Sequence, residues 1–273
     1  MKFTAIQNFG TVHGIHSSSG LLWLNDYLFC ISDNSDFLFK INPTNYTFEA
    51  IPTIENAQHW VEKKHKRDYE IIYADSEGIH LYGSGSKEKR KIKTSFADLE
   101  NLAISSECLL YDAISSRGIS EDDLNLEALC KHGDTYYIFN RGNGPSKQNR
   151  IFKAHQLPDG AFEIVSEHDI QLHFNNLDFT FTDACVCNDF IVFTAAAEAS
   201  DSTYLDGEIG GSLLGVLKID SLEVLYTQIV SQEHKFEGIS CYKSSETTLH
   251  FYLAEDNDRN DGELTVYGVD LEI

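Results

Sequence analysis

The sequence predicts an all-β fold: a five-bladed β-propeller of four-stranded antiparallel blades, closed into a ring as one domain over residues 1–273. Three observations predict it. Oxygen-bearing residues recur as Ser19, Glu70, Glu127, Asp183 and Glu237, at intervals of 51, 57, 56 and 54. Each opens a short apolar strand that leads through a turn into a second strand, the period expected of propeller blades. The fifth repeat runs out of chain before its fourth strand, and a strand-like segment with no partner stands at the N-terminus. A six-bladed propeller and an unclosed β-sandwich are the alternatives.

In chain order, the first repeat runs from Ser19 to Leu24, turns at Asn25-Asp26, and continues through Tyr27 to Ile31 and Phe37 to Ile41. Asn-Asp and Gly-Asp pairs between β-branched and aromatic runs are hairpin signals. The second repeat starts at Glu70 and turns at Glu77-Gly78; the third starts at Glu127 and turns at Gly133-Asp134. The fourth starts at Asp183 with a turn at Asn188-Asp189, and the fifth at Glu237 with a turn at Ser244-Ser245. Fourth strands are read over 47–51, 162–165 and 223–226. The second repeat is the least regular, because 95–119 reads partly helical around Cys108 to Ile114, which predicts a helical insertion. The missing strand of the fifth repeat is assigned to Lys2–Gln7, beside Glu263 to Val269, which would hide two open sheet edges.

Hydrophobic content of 42% with 12% aromatics supplies a packed core. The formal net charge of −22 repels nucleic acid and anionic lipid and suits cations or basic partners. No apolar run approaches the length of a membrane span, and the first residues lack a signal-peptide core, so a cytoplasmic location is expected. Cys30, Cys108, Cys130, Cys185, Cys187 and Cys241 match no zinc spacing and are expected to be reduced and buried.

If the inner strand of each blade begins on one face of the disc, Ser19, Glu70, Glu127, Asp183 and Glu237 form a ring about the axis. Carboxylates about 6 Å apart repel by roughly 3 kcal/mol per pair at an effective dielectric near 20. A cation, retained protons, or intruding basic side chains and backbone N–H groups must compensate. Calcium fits such an oxygen-rich set and is the expected cofactor. The alternative is that each carboxylate caps amides of the neighbouring blade.

The segments beginning Ser19-Gly20-Leu21-Leu22-Trp23, Tyr69-Glu70-Ile71-Ile72, Glu127-Ala128-Leu129 and Phe236-Glu237-Gly238 resemble the inner-strand starts of the calcium-activated nucleotidase (apyrase) propellers. That resemblance implies five blades and an axial calcium held by Ser19, Glu70, Glu127, Asp183 and Glu237. Asp183 stands where the apyrases carry Ser, and Gly10 to Ser18 offers His13 and His16 in place of their nucleotide-contacting segment. Nearly the whole chain also resembles a bacterial propeller family of unknown function near the esterase-like phytase relatives. The carrying motifs are Phe139-Asn140-Arg141-Gly142-Asn143-Gly144, Phe181-Thr182-Asp183-Ala184, and Ala195-Ala196-Ala197-Glu198 with Asp201-Ser202-Thr203-Tyr204.

Around the ring, the loops Gly83 to Arg90 and Arg141 to Lys147 are basic and glycine-rich, suited to an anion. Arg141, Asn143 and Glu198 are the candidate ligand contacts, and Arg141, His13 and His16 the candidate catalytic groups. Solvated loops and packed histidines are the simpler alternatives. His65 sits in a basic patch leading into Glu70, and Glu255 to Asp258 with Asp261 reads first as a surface turn. Two functions follow. One is calcium-dependent hydrolysis of a phosphoester or phosphoanhydride; the other is a non-catalytic propeller that binds a small anionic ligand or a protein partner.

Overall fold

The computed structural model describes residues 1–99, 101–105, 109–198, 209–257 and 262–273. Five antiparallel blades follow one another along the chain, four with their strands in sequence order and the fifth completed at its outer edge by N-terminal strands; a small hairpin of His173–Phe174 and Leu177–Asp178 lies between the third and fourth. Blade one is Gly20–Leu24, Tyr27–Ile31, Phe37–Ile41 and Phe48–Pro52. Blade two is Tyr69–Asp75, Gly78–Gly83, Lys93–Asp98 and Asn101–Ser105. Blade three is Leu126–His132, Thr135–Asn140, Asn149–Gln156 and Phe162–Ile170. Blade four is Thr180–Cys187, Phe190–Glu198, Ile209–Lys218 and Val224–Ser231. Blade five supplies Phe236–Ser244, Thr248–Glu255 and Glu263–Glu272 from the C-terminal end.

The ring closes as expected. Lys2–Phe3 pairs with Leu271 and Glu272, and Gln7–His13 pairs with Glu263 to Gly268. The outer strand therefore runs past Gln7 as far as His13, with a break at 4–6. Gly268 explains one close approach: a Cβ there would fall 1.9 Å from the ring of Phe9 in the closing strand. Each inner strand touches the inner strand of the next blade, and the fifth touches the first.

The turn residues behave as their chemistry requires. Asn25 and Asp26 both take positive φ (50° and 63°), the conformation that reverses a right-twisted hairpin in two residues. Blade two is complete with four strands, so the helical insertion follows it instead of replacing its edge. Its helix spans Leu109–Ser115, buries Leu110, Tyr111 and Ile114, and packs between blades two and three. Cys108 lies outside the described residues.

Five apolar clusters fill the five seams between blades. The seam of blades three and four holds Phe139, Phe181 and Phe193 in edge-to-face contact at 5.0 and 5.2 Å. Fully burying such a side chain contributes roughly 1.5–3 kcal/mol, so each seam is a core in its own right. The cysteine expectation needs correction at one seam. Cys187 of blade four and Cys241 of blade five form a disulfide, because facing inner strands bring their Cα atoms to 6.0 Å. Cys30, Cys130 and Cys185 are free thiols, and burial raises the proton affinity of all three. No helix among the described residues is long and apolar enough to cross a membrane.

Candidate functional site

Four of the five inner strands begin with a register shift in which one residue is left out of the ladder. The residues left out are Glu70, Glu127, Thr182 and Glu237. A bulge re-aims one side chain without disturbing the rest of the strand. The geometric partner of the three glutamates in blade four is thus Thr182, one residue before the expected Asp183. Thr182 lies 55 residues from both Glu127 and Glu237. Ser19 and Thr182 also act alike. Ser19 Oγ donates to the Tyr69 carbonyl at 2.5 Å, and Thr182 Oγ1 to the Phe236 carbonyl at 2.7 Å. Each hydroxyl holds the residue just before the glutamate of the next blade.

Asp183 has a different task. Its carboxyl accepts the amides of Ile239 (2.8 Å), Ala184 (2.7 Å) and Leu21 (3.4 Å), joining blade four to blades five and one. Burial drives its proton affinity up and the three amides oppose that. Amide capping was the alternative weighed against a metal ligand, and Asp183 is arranged that way.

Arg141 leaves the end of the second strand of blade three and turns inward, with its side chain buried. Its Nε donates to Thr180 Oγ1 at 3.0 Å, while NH1 lies 3.4 Å from Glu127 Oε1 and 3.5 Å from Glu237 Oε1. It therefore braces three blades. Lys235 adds a second buried cation, 3.0 Å from Glu237 and 3.3 Å from Asp256. Asn125 donates to Glu127 at 2.7 Å and to Asn143 at 3.4 Å, which puts half-buried Asn143 at the rim of this network. Burial and the Glu237 charge outweigh the cations at Glu127 and push its carboxyl up to about 8.

Glu70 is the exception. It makes no hydrogen bond or ion pair with any described residue. Burial, followed by the charges of Glu127, Asp68, Asp33 and Glu237, holds its carboxyl well above the ordinary range. Asp33, Asp68 and Glu70 bring carboxylate oxygens within 4.8 Å of one another. Lys66 bonds both Asp33 and Asp68, and Arg90 reaches Asp68 at 2.7 Å. Burial works against the charge on Lys66, and Asp33, Asp68 and Glu70 more than offset it. Arg90 and Lys66 are thereby drawn onto Asp68, which accounts for part of the basic character of the 83–90 loop.

This donor set does not fit the axial calcium expected from Ser19, Glu70, Glu127, Asp183 and Glu237. Asp183 accepts three amides, Arg141 stands between Glu127 and Glu237, and the four carboxylates do not together form a close ligand group. A second close group, Asp75, Glu77 and His80, lies at the far end of blade two and is tied up by Lys131 and Ser95.

His13 ends the outer closing strand, exposed and 3.3 Å from Glu263, away from the inner strands. His16 packs against Trp60 with ring centroids 5.3 Å apart, and its buried Nδ1 has no hydrogen-bond partner among the described residues. Glu198 ends a described strand, but its side chain lies outside the described residues, as do 201–208, 258 and 261. Glu255 accepts His234 Nδ1 and Tyr267 Oη, so it belongs to a packed strand end.

Comparison with solved structures bears on the fold alone. The Myxococcus xanthus glutaminyl cyclase superposes with a TM-score of 0.52 at 11% identity, covering 97% of each chain. The Malassezia sympodialis allergen Mala s 1 gives 0.54 at 7% identity over 95% of each. A mutant of the Bombyx mori GH32 β-fructofuranosidase BmSUC1, in complex with sucrose, gives 0.53 at 11% over 94% of this chain, which spans 61% of that enzyme. No curated protein sequence matches the chain. A family model does match, over residues 14–271, and the chain belongs to that family, described as a family of unknown function, DUF6929.

Proposed function

We propose that the face of the ring that carries Glu70, Glu127 and Glu237 is the active site of a hydrolase that acts on a small neutral polar substrate by carboxyl acid–base catalysis. The carrying observation is Glu70, a carboxyl with no hydrogen-bond or ion-pair partner among the described residues, whose burial and acidic neighbours raise its proton affinity. Glu237, by contrast, is flanked by Lys235 and Arg141. Two carboxyl groups in such unlike surroundings are how one site supplies both a proton donor and a proton acceptor. Glu70 would protonate the leaving group and the Glu127–Glu237 side would orient the attacking water. Neighbours of the same fold include a glutaminyl cyclase and a β-fructofuranosidase, so the architecture accommodates such chemistry.

The calcium-dependent phosphoester reading needs a guanidinium open to phosphate, whereas Arg141 faces two glutamates. Purified protein would be screened against chromogenic glycosides, esters, lactones and phosphoesters, with calcium and with chelator. Turnover that drops by about 10²–10⁴ in Glu70→Gln, at an unchanged melting temperature, is expected. Activity that survives Glu70→Gln, or turnover confined to phosphoesters with calcium, would overturn the reading. If nothing turns over, the face is a binding surface.

A further inference from the structure

We infer that Trp60 is the stacking platform of a carbohydrate subsite on the segment tied to the Asp33 loop; this rests on the face that carries Glu70 being the functional face. Trp60 keeps 42% of its surface in water, unusual for the side chain with most to gain from burial. It is also held in place. Val61 N donates to the Asn34 carbonyl at 2.7 Å, and Gln58 and Asp36 exchange bonds of 3.0 and 3.2 Å. Asp36 is anchored in turn by Arg67 at 2.7 Å. An exposed indole fixed on both sides by backbone bonds loses little freedom when a ligand lands on it.

Its surroundings select the ligand. Asn34 follows Asp33, whose carboxylate is grouped with those of Asp68 and Glu70. Ser17 Oγ lies 3.1 Å from Ser32 Oγ, which bonds Asn34, so the segment carrying His16 is stitched to the same loop. His16 packs edge-on against Trp60, with ring centroids 5.3 Å apart, and helps to hold the indole in one orientation. An aromatic surface on the loop system that carries the Asp33 carboxylate matches a ring with one C–H face and several hydroxyls. An anion would meet the Asp33 carboxylate; a cation would find Lys66 already on Asp33 and Asp68. A neutral sugar ring satisfies all of these.

The chain has two tryptophans, Trp23 and Trp60, so a Trp23→Phe background leaves one fluorophore. That protein would be titrated with methyl glucoside, methyl galactoside, sucrose and cellobiose. A saturable emission change with at least one sugar is expected. In the wild-type Trp23 background, calorimetry should show that Trp60→Ala weakens binding of that sugar roughly tenfold or more while Trp60→Tyr retains most of it. No saturable change with any sugar, or unchanged affinity in Trp60→Ala, would overturn the proposal. Sugar binding without turnover would uphold this subsite and sink the hydrolase reading. Turnover of a non-sugar substrate with KM unmoved in Trp60→Ala would do the reverse.

Discussion

Glu127 is 2% exposed, accepts from Asn125 and faces Arg141, yet burial and the nearby Glu237 keep its proton in place up to about pH 8. An acid that binds its proton more tightly when folded gives stability that is complete below its unfolded pKa and lost as pH rises through its folded one. For Glu127 that window runs from the ordinary 4.5 to about 8. Stability measured by urea unfolding should therefore fall across that window, and Glu127→Gln should flatten the fall. A variant with the wild-type slope would show that Glu127 is ionised throughout. The ring was legible at this scale as a spacing of acids, but its fourth member was displaced by one residue. Thr182 and Asp183 are adjacent oxygen-bearing residues, and only the bulge, which inserts one residue out of register, decides which of them matches the glutamates. Arg141 was legible as a residue at the face of the ring, read as a ligand contact; that its partners would be Glu127 and Glu237, from two different blades, was not.

Among the elements, the inner strands of blades four and five are joined three ways: Thr182 to the Phe236 carbonyl, Asp183 to the Ile239 amide, and Cys187 to Cys241. The disulfide closes a loop of 54 residues, worth up to about 4 kcal/mol on the chain-entropy account. Reduction, or Cys187→Ser, should lower the melting temperature by several degrees, measured by scanning calorimetry with and without reductant. Equal melting temperatures, with two further thiols titrating in the unreduced protein, would show that the bond does not form. Cysteine spacing alone could not announce this pair, because the sulfurs meet across a seam that exists only once two blades are side by side. The closing strand was legible because an unpaired edge demanded a partner. Its extension to His13 was hidden by Gly10 and Gly14, which dilute the strand signal.

For the whole molecule, five inner strands crowd Glu70, Glu127, Asp183 and Glu237 about one axis, and the chain answers with Arg141, Lys235 and the Asp183 amide bonds. A channel neutralised by its own side chains should not depend on a divalent ion. Calcium and a chelator should leave the melting temperature of metal-freed protein unchanged; a calcium-dependent rise would show that an ion displaces Arg141 or Lys66, because binding to the folded state alone adds stability. The sequence by itself determined the all-β class, the five repeats, the turn positions and the closure of the ring. These follow from local periodicity, turn chemistry and the requirement that every edge be paired, all of which are written along the chain. Tertiary structure alone decided which acids are spent on amides, which are braced by cations, which one has no partner among the described residues, and which aromatic is left exposed. Those outcomes depend on distances between blades 50 or more residues apart, and no local pattern encodes them.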